Sequence, residues 1–196
     1  MIVYPNIVSI TKDEIEKYPT KAFEGKIHVI CNLHDVDQAV EYLSTKKVLG
    51  FDTETRPSFT KNHTNSVALL QLSDETDAFL FRLNTMGLPI SVAKLLANEN
   101  ICKVGVAVRD DIKGLQKLRS FPAGNFVDLQ SVAKQLHIEA MGLRTLTPIA
   151  LGFKISKRQQ LSNWENEYLN KAQQLYAATD AWVSLKIYQQ LQPYTL

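Results

Sequence analysis

Residues 47–54 read KVLGFDTE, an apolar run that ends in two carboxylates, Asp52 and Glu54. An apolar run of this length predicts a buried strand. Side chains two positions apart in a strand project from the same face, so both carboxylates are expected to project together from the strand end. Carboxylates held against a core without nearby basic partners are costly unless a cation neutralises them. Hard oxygen ligands of this kind suit Mg²⁺ or Mn²⁺.

The segments around KVLGFDTE predict the remaining elements of an α/β fold. The segments 66–73 (SVALLQLS) and 77–83 (DAFLFRL) predict two more strands of an antiparallel meander. Other strands are predicted at 27–31, 101–106 and 125–129. Helices are predicted at Asp35–Leu43, 88–98, 109–119, 130–137 and 143–151, and from about Asn166 to Leu191. A meander followed by α/β alternation implies a mixed five- or six-stranded sheet flanked by helices.

The N-terminal residues 1–26 are expected to form an extension that packs on a single domain of residues 27–196. Within the extension, Thr11 and Glu14 have the capping-box spacing of a short helix that Pro19 ends. A chain of 196 residues is long enough for one domain with a substantial core. The net charge of +2 permits nucleic-acid binding without indicating it.

The sequence also predicts a cytoplasmic protein. It contains no apolar run of membrane-spanning length, and its first residues lack a basic region followed by a sustained apolar stretch. Cys31 and Cys102 lie in apolar segments and are expected to be buried, reduced thiols.

Three more polar residues, Asp111, Tyr176 and Asp180, lie on helix faces that are expected to be buried. Asp111 lies on the stripe of its helix that faces the sheet, four residues before Leu115, whereas Asp110 is expected to be solvated. The last helix has an apolar stripe that is expected to be buried: Leu169, Ala172, Tyr176, Val183, Ile187 and Leu191. Asp180 falls inside this stripe, four residues after Tyr176, so the two side chains are neighbours on one face. Isolated buried carboxylates are rare, and Asp180 is therefore a candidate ligand or a partner in a buried salt bridge.

These residues occur in segments that resemble the motifs of the DEDD superfamily of 3′-5′ exonucleases. GFDTET (50–55) resembles the first motif, KVGVAVRDDIKGL (103–115) the second, and YAATD (176–180) the third. The tyrosine at the start of YAATD is typical of the tyrosine subgroup, which includes ribonuclease D and the Werner exonuclease-like domains. The histidine subgroup would need histidine at position 175, which is leucine.

The resemblance implies a ribonuclease H-like fold and a two-metal hydrolysis that releases nucleoside 5′-monophosphates from a free 3′ end, with DNA favoured over RNA. By the same resemblance, Asp52 bridges two Mg²⁺ or Mn²⁺ ions, Glu54 and Asp180 complete the first site, and Asp111 holds the second. Tyr176 orients the attacking water, because a phenol is a poor general base at neutral pH.

Candidate substrate contacts lie on both sides of the acidic motifs. Lys157 and Arg158 belong to the densest basic stretch, FKISKR, and are expected to contact backbone phosphates from a loop before the last helix. Thr55 and Phe59 follow Glu54 and are candidates to contact the 3′ nucleotide, with the ring stacking on a base. Trp164 is expected to be a packing anchor.

Two alternatives belong to other classes of protein. FDTET is superficially similar to the nucleophile loop of haloacid-dehalogenase phosphatases, which also use Mg²⁺, but that class gives Tyr176 and Asp180 no role. A binding module that keeps the fold without activity is the second alternative. The presence of all four candidate ligands disfavours it, because an inactive relative could lose some of them without penalty.

Overall fold

The computed structural model describes residues 8–57 and 65–195. Its strands are β1 (Lys26–Ile30), β2 (Val48–Thr55), β3 (Val67–Ser73), β4 (Asp77–Arg82), β5 (Cys102–Gly105) and β6 (Phe126–Asp128). Its helices are α1 (Lys12–Glu16), α2 (Leu33–Ser44), α3 (Leu83–Met86), α4 (Ile90–Ala97), α5 (Val108–Leu118), α6 (Leu129–Gln135), α7 (Leu143–Leu151) and α8 (Lys171–Leu191), and a 3₁₀ turn at Gln192–Tyr194 follows α8.

The six strands form one mixed sheet in the order β1-β4-β3-β2-β5-β6. The predicted meander is confirmed, since β2 pairs antiparallel with β3 and β3 antiparallel with β4. The other three pairs, β1–β4, β2–β5 and β5–β6, are parallel. The expected mixed sheet of an α/β fold is therefore present, with β2 in its interior.

Helices cover both faces of the sheet, and the alternation of side chains along β2 divides the residues between the two faces. Leu49 and Phe51 belong to a core shared with α2, α4 and α5. Gly50 faces α8 instead, because a Cβ atom at this position would lie only 1.9 Å from the carbonyl oxygen of Ala181. Only glycine permits this approach, which brings α8 directly against the sheet.

The short helix predicted from Thr11 and Glu14 is present as α1. Thr11 caps α1, its side chain accepts a hydrogen bond from the Glu14 N–H, and the Glu14 carboxylate accepts one from the Thr11 N–H at 2.8 Å. These reciprocal bonds are those of a capping box.

Three predictions about local structure are wrong. The last helix begins at Lys171 and not near Asn166, because Asn170 is the residue that caps it. Ala172, which the apolar stripe of this helix predicts to be buried, is exposed. Gln173 is buried in its place. Cys31 is exposed rather than buried, while Cys102 is buried as expected.

Candidate active site

Three of the predicted acidic residues meet at the end of β2. Carboxylate oxygens of Asp52, Glu54 and Asp180 all lie within 4.8 Å of one another. Asp52 and Glu54 project from the same face of β2, and Asp180 comes from the helix that Gly50 allows to approach that face. We call these three residues the acidic cluster.

Asp180 is the most enclosed member of the acidic cluster. The residue is 5% exposed. Its Oδ1 atom is buried and has no hydrogen-bond partner among the described residues. A buried carboxylate oxygen without a donor is a site where a cation is expected to bind, because an uncompensated buried charge is strongly destabilising.

The pKa values of the acidic cluster show how poorly the protein alone neutralises these carboxylates. Burial, followed by the negative charges of Asp180 and Asp111, raises the pKa of Asp52 well above its usual range. Burial and the charge of Asp52 raise the pKa of Glu54 to about 10. Burial also raises the pKa of Asp180 to about 7, although a hydrogen bond with Tyr176 and the charge of Lys157 oppose the change. Desolvation and like charge are the causes that a bound divalent cation would offset.

The acidic cluster therefore fits a divalent metal. Its donors are all carboxylate oxygens, which hard cations such as Mg²⁺ and Mn²⁺ prefer. Their spacing allows more than one of them to contact the same ion. The buried Oδ1 of Asp180, which has no hydrogen-bond partner among the described residues, provides a free ligand atom.

Asp111 reaches the end of β2 from the other side of the sheet. It lies in the first turn of α5, and its carboxylate accepts a hydrogen bond from the Thr53 hydroxyl. Thr53 lies between Asp52 and Glu54 and projects from the opposite face of β2. Burial raises the pKa of Asp111 to about 6 although the Thr53 bond lowers it. Asp110 is exposed and pairs with Lys113 at 3.0 Å, so the predicted orientation of the two adjacent aspartates is the one observed.

Tyr176 lies one helical turn before Asp180, with its ring against the buried Trp164 at a centroid distance of 5.9 Å. Burial, the charges of Asp180 and Glu54, and a hydrogen bond to Asp180 all raise the pKa of Tyr176 above its ordinary value. The hydroxyl therefore keeps its proton at neutral pH. Trp164 is fully buried, as expected for a packing anchor.

A cleft of about 520 Å³ opens over the acidic cluster. It is lined by residues that include Tyr176, Lys157 and Arg144, with Lys157 in the predicted loop before α8. Arg158 lines an adjoining groove. Thr55 lines a separate groove beside Asp111 and Lys113. Phe59 lies outside the described residues.

The sequence reasoning missed three residues that the structure places beside the predicted ones. Thr53 contacts Asp111, and strand alternation was the available signal, because it turns Thr53 toward α5. Arg144, at the start of α7, lines the cleft. Gln71 is fully buried and pairs in register with Asp52, and its signal was a lone amide in the apolar run SVALLQLS.

Comparisons with known proteins agree with this geometry. A family model described as a 3′-5′ exonuclease matches residues 27–195. The chain therefore belongs to this family of 3′-5′ exonucleases, which are metal-dependent nucleases, and the predicted class of enzyme is confirmed. The assignment also decides against the phosphatase alternative.

The chain spans less than half of the length of several curated relatives that it matches. The chain is 36% identical over 155 residues to the bifunctional 3′-5′ exonuclease/ATP-dependent helicase WRN of Mus musculus. The match covers 76% of this chain and 11% of that protein. The crystal structure of the Nibbler EXO domain of Aedes aegypti matches with a TM-score of 0.80 at 23% identity, over 89% of this chain and 92% of the other. Escherichia coli RNase D matches with a TM-score of 0.78 at 20% identity, over 87% of this chain and 45% of the other. These likenesses confirm the ribonuclease H-like fold.

In the part of the chain that the structure describes, no helix has both the length and the apolar character needed to cross a membrane.

Proposed function

We propose that this chain removes nucleoside 5′-monophosphates from the 3′ end of a nucleic acid strand by two-metal hydrolysis. The observation that carries the proposal is the acidic cluster, with three carboxylates within 4.8 Å of one another and an unpartnered Asp180 oxygen among them. Family membership supports the same reaction class.

Each acidic residue has a role that follows from its place. The negative charges of Asp180 and Asp111 both raise the pKa of Asp52, which supports a role for Asp52 in contacting both ions. Glu54 and Asp180 would complete the first site, and Asp111, held by Thr53, would serve the second. Divalent ions held by these residues would stabilise the attacking and leaving oxygens of an in-line displacement.

The neighbouring residues would handle the water and the strand. Tyr176 would orient the attacking water by hydrogen bonding, because its raised pKa keeps it protonated and unable to serve as a base. Lys157 and Arg158 are exposed and would contact backbone phosphates. Thr55 and Phe59 remain candidates to contact the terminal nucleotide. Residues 1–26 would be the extension and residues 27–196 the exonuclease domain.

We favour DNA over RNA as the substrate. The likeness to RNase D lies below 25% identity and therefore carries only the fold. A contact to the 2′-hydroxyl is what distinguishes RNA from DNA in a protein site, so the preference is measured by comparing strands that differ only in this group.

The test is incubation of the protein with 5′-labelled single strands of matched DNA and RNA sequence in Mg²⁺ or Mn²⁺. A ladder shortened one nucleotide at a time from the 3′ end supports the proposal, and faster shortening of the DNA strand supports the substrate preference. Asp180→Asn should abolish the ladder, and Asp110→Asn is the matched control. A wild-type protein that binds the strands and leaves them intact would instead be a binding module.

A further inference from the structure

A groove next to the catalytic cleft is built partly from the N-terminal extension. The extension is fixed to the loop after α7 by backbone hydrogen bonds. The Lys21 N–H donates to the Lys154 carbonyl at 2.9 Å, and the Lys154 N–H donates to the Pro19 carbonyl at 2.9 Å. An isolated parallel bridge joins Thr20 and Lys154 at the same point. Residues 19–21 of the extension therefore lie against the loop after α7 and form one side of the groove. They lie outside the residues 27–195 that the family model matches.

The groove between these two segments, which we call the extension groove, has a volume of about 590 Å³. Four basic residues line the extension groove: Arg144, Lys154, Lys157 and Arg158. Among the described residues of its lining, Glu16 is the one acidic residue. The extension groove is continuous with the catalytic cleft, because Arg144, Ser156 and Lys157 line both. A strand that leaves the acidic cluster past Lys157 would enter the extension groove directly.

Glu16 forms ion pairs with Arg144 and Lys154, two cations of the extension groove that could otherwise bind a phosphate. Its carboxylate lies 3.1 Å from a guanidinium nitrogen of Arg144 and 2.6 Å from Nζ of Lys154. The Lys154 ammonium also donates to the Glu16 carbonyl at 2.8 Å. Arginine and lysine make the same charge-assisted hydrogen bonds to phosphate oxygens as to carboxylate oxygens. A phosphate at this point would therefore compete with Glu16 for Arg144 and Lys154.

We propose that the extension groove binds the phosphodiester backbone of the strand upstream of its 3′ nucleotide, and that Glu16 limits this binding by competing for Arg144 and Lys154. This inference rests on the proposed function for its choice of ligand. It assigns the extension a part in controlling how tightly the strand is held.

The test measures the affinity of a 12-nucleotide single strand and of a dinucleotide, with Ca²⁺ in place of Mg²⁺ so that binding is read apart from cleavage. Glu16→Gln should bind the 12-mer about 3- to 10-fold more tightly at low salt, with a steeper salt dependence, since Arg144 and Lys154 lose their competing carboxylate and become available to phosphate. The dinucleotide is too short to reach the extension groove and should bind equally well to both proteins. Lys154→Gln should weaken binding of the 12-mer.

The matched control is Glu41→Gln, which makes the same change of net charge on α2, on the opposite face of the sheet. If Glu16→Gln and Glu41→Gln have the same affinity for the 12-mer, the proposed competition is wrong. Failure of the exonuclease proposal is a different result, since it would leave strands intact in Mg²⁺ whatever their affinity in Ca²⁺.

A second, independent inference concerns Gln71 on β3. The residue is fully buried, and neither Nε2 nor Oε1 of its carboxamide has a hydrogen-bond partner among the described residues. Gln71 is directly opposite Asp52 in the antiparallel pairing of β3 with β2. Opposite side chains in such a pair share a face and have Cβ atoms about 4.5–5.5 Å apart. The unpartnered carboxamide is therefore beside the acidic cluster.

A buried amide without a partner destabilises a fold, and an apolar side chain of similar volume would be better tolerated. The unpartnered carboxamide of Gln71 is explained if it gains a hydrogen-bond partner in another state of the site. We infer that Gln71 is a positioning residue, whose Nε2 would donate a hydrogen bond to the Asp52 carboxylate when a divalent cation is bound and so hold that carboxylate in place. This inference also depends on the proposed metal site.

The test has two readouts in Gln71→Met, a change of similar volume. The melting temperature of the metal-free protein should stay the same or rise, because an unpartnered polar group is removed. The affinity for Mn²⁺, measured by calorimetry, should fall about tenfold or more, as is usual when a residue supporting a metal ligand is lost. Gln71→Leu repeats the measurement if the methionine does not pack.

Ser73→Ala is the matched control. Ser73 lies two residues along the same face of β3, is also fully buried, and its hydroxyl also lacks a partner among the described residues. It is opposite Gly50 rather than Asp52 and should leave the Mn²⁺ affinity unchanged. Wild-type Mn²⁺ affinity in Gln71→Met would overturn the inference. Absence of Mn²⁺ binding in the wild-type protein would overturn the proposed metal site itself.

Discussion

Gly50 of β2 and Ala181 of α8 are in direct contact, since a Cβ atom on Gly50 would lie 1.9 Å from the Ala181 carbonyl oxygen. Ala181 follows Asp180, and Gly50 precedes Asp52 by two residues on the same face of β2. The contact therefore sets the distance between the strand and the helix that supply the acidic cluster.

Gly50→Ala should separate β2 from α8. We expect a loss of about 1–3 kcal/mol in the free energy of unfolding, typical of an overpacked core, together with a clear loss of Mn²⁺ affinity. Urea denaturation and calorimetry measure the two effects. Gly142→Ala is the control, because a Cβ atom there meets nothing within 4 Å. A fully stable Gly50→Ala protein with wild-type metal affinity would show that the contact does not position the site.

The two adjacent aspartates of α5 should differ sharply in their effect on activity. Asp111 is held against β2 by Thr53, whereas Asp110 is exposed and pairs only with Lys113 among the described residues. Asp111→Asn should lower the rate of 3′ shortening by about a hundredfold or more, and Asp110→Asn should keep most of it. The reverse result in the labelled-strand assay would mean that the assignment of the second metal ligand is wrong.

Tyr176→Phe should be slowed rather than inactive. Removal of the hydroxyl keeps all three carboxylates of the acidic cluster and takes away the group that orients water, together with its hydrogen bond to Asp180, so we expect a loss of about tenfold to a hundredfold in kcat. The affinity for Mn²⁺ should change little. Single-turnover rates measure the chemical step directly, and a wild-type rate would remove Tyr176 from the mechanism.

The stability of the metal-free protein should fall as the pH rises through neutrality. The pKa of Asp180 is raised from 3.8 to about 7 in the folded protein, so the folded state binds the proton more tightly than the unfolded state. A raised pKa contributes stability that is fully present below the unfolded value and is lost as the pH rises through the folded value. The decline should therefore occur between about pH 4 and pH 7, and the raised pKa of Glu54 extends it to higher pH.

Melting temperatures in a chelator across this pH range check the direction. Added Mn²⁺ should restore stability most strongly at the alkaline end, where the carboxylates are ionised and the ion binds best. Asp180→Asn should flatten the decline, because the amide does not titrate. A metal-free protein that gains stability from pH 4 to pH 7 would contradict the pKa shifts of the acidic cluster.

Much of the fold follows from local patterns that can be read in the sequence. The meander β2–β4 corresponds to three apolar runs separated by polar loops, and the cap of α1 follows from Thr11 and Glu14. Asp52 and Glu54 share a face because side chains in a strand alternate. The closeness of Asp180 to Tyr176 follows from helical spacing.

The errors arise where distant residues determine local structure. The segment before α8 is irregular because the buried Arg82 of β4 donates hydrogen bonds to the carbonyls of Asn166 and Glu167. No periodicity in residues 161–170 reveals a partner more than eighty positions away. Gln173 is buried in place of Ala172 because it bonds Asn170 and Ser162, which is again a matter of tertiary contact.

In the candidate active site too, local patterns predict some features and distant contacts determine the others. The patterns identified the carboxylates, but the close approach of α8 to β2 depends on Gly50 and Ala181, which no spacing rule connects. The contact of Asp111 with Thr53 likewise joins two residues that are 58 positions apart. The groove formed by the extension depends on backbone pairing of Thr20 with Lys154, 134 positions apart by their numbers.

Anomalous diffraction from crystals soaked in Mn²⁺ tests the central claim most directly. We predict two peaks about 3.5–4 Å apart, both within coordination distance of Asp52, with Glu54 and Asp180 at one of them and Asp111 near the other. A crystal without a peak at these carboxylates, or with its peaks bound elsewhere, would contradict the account.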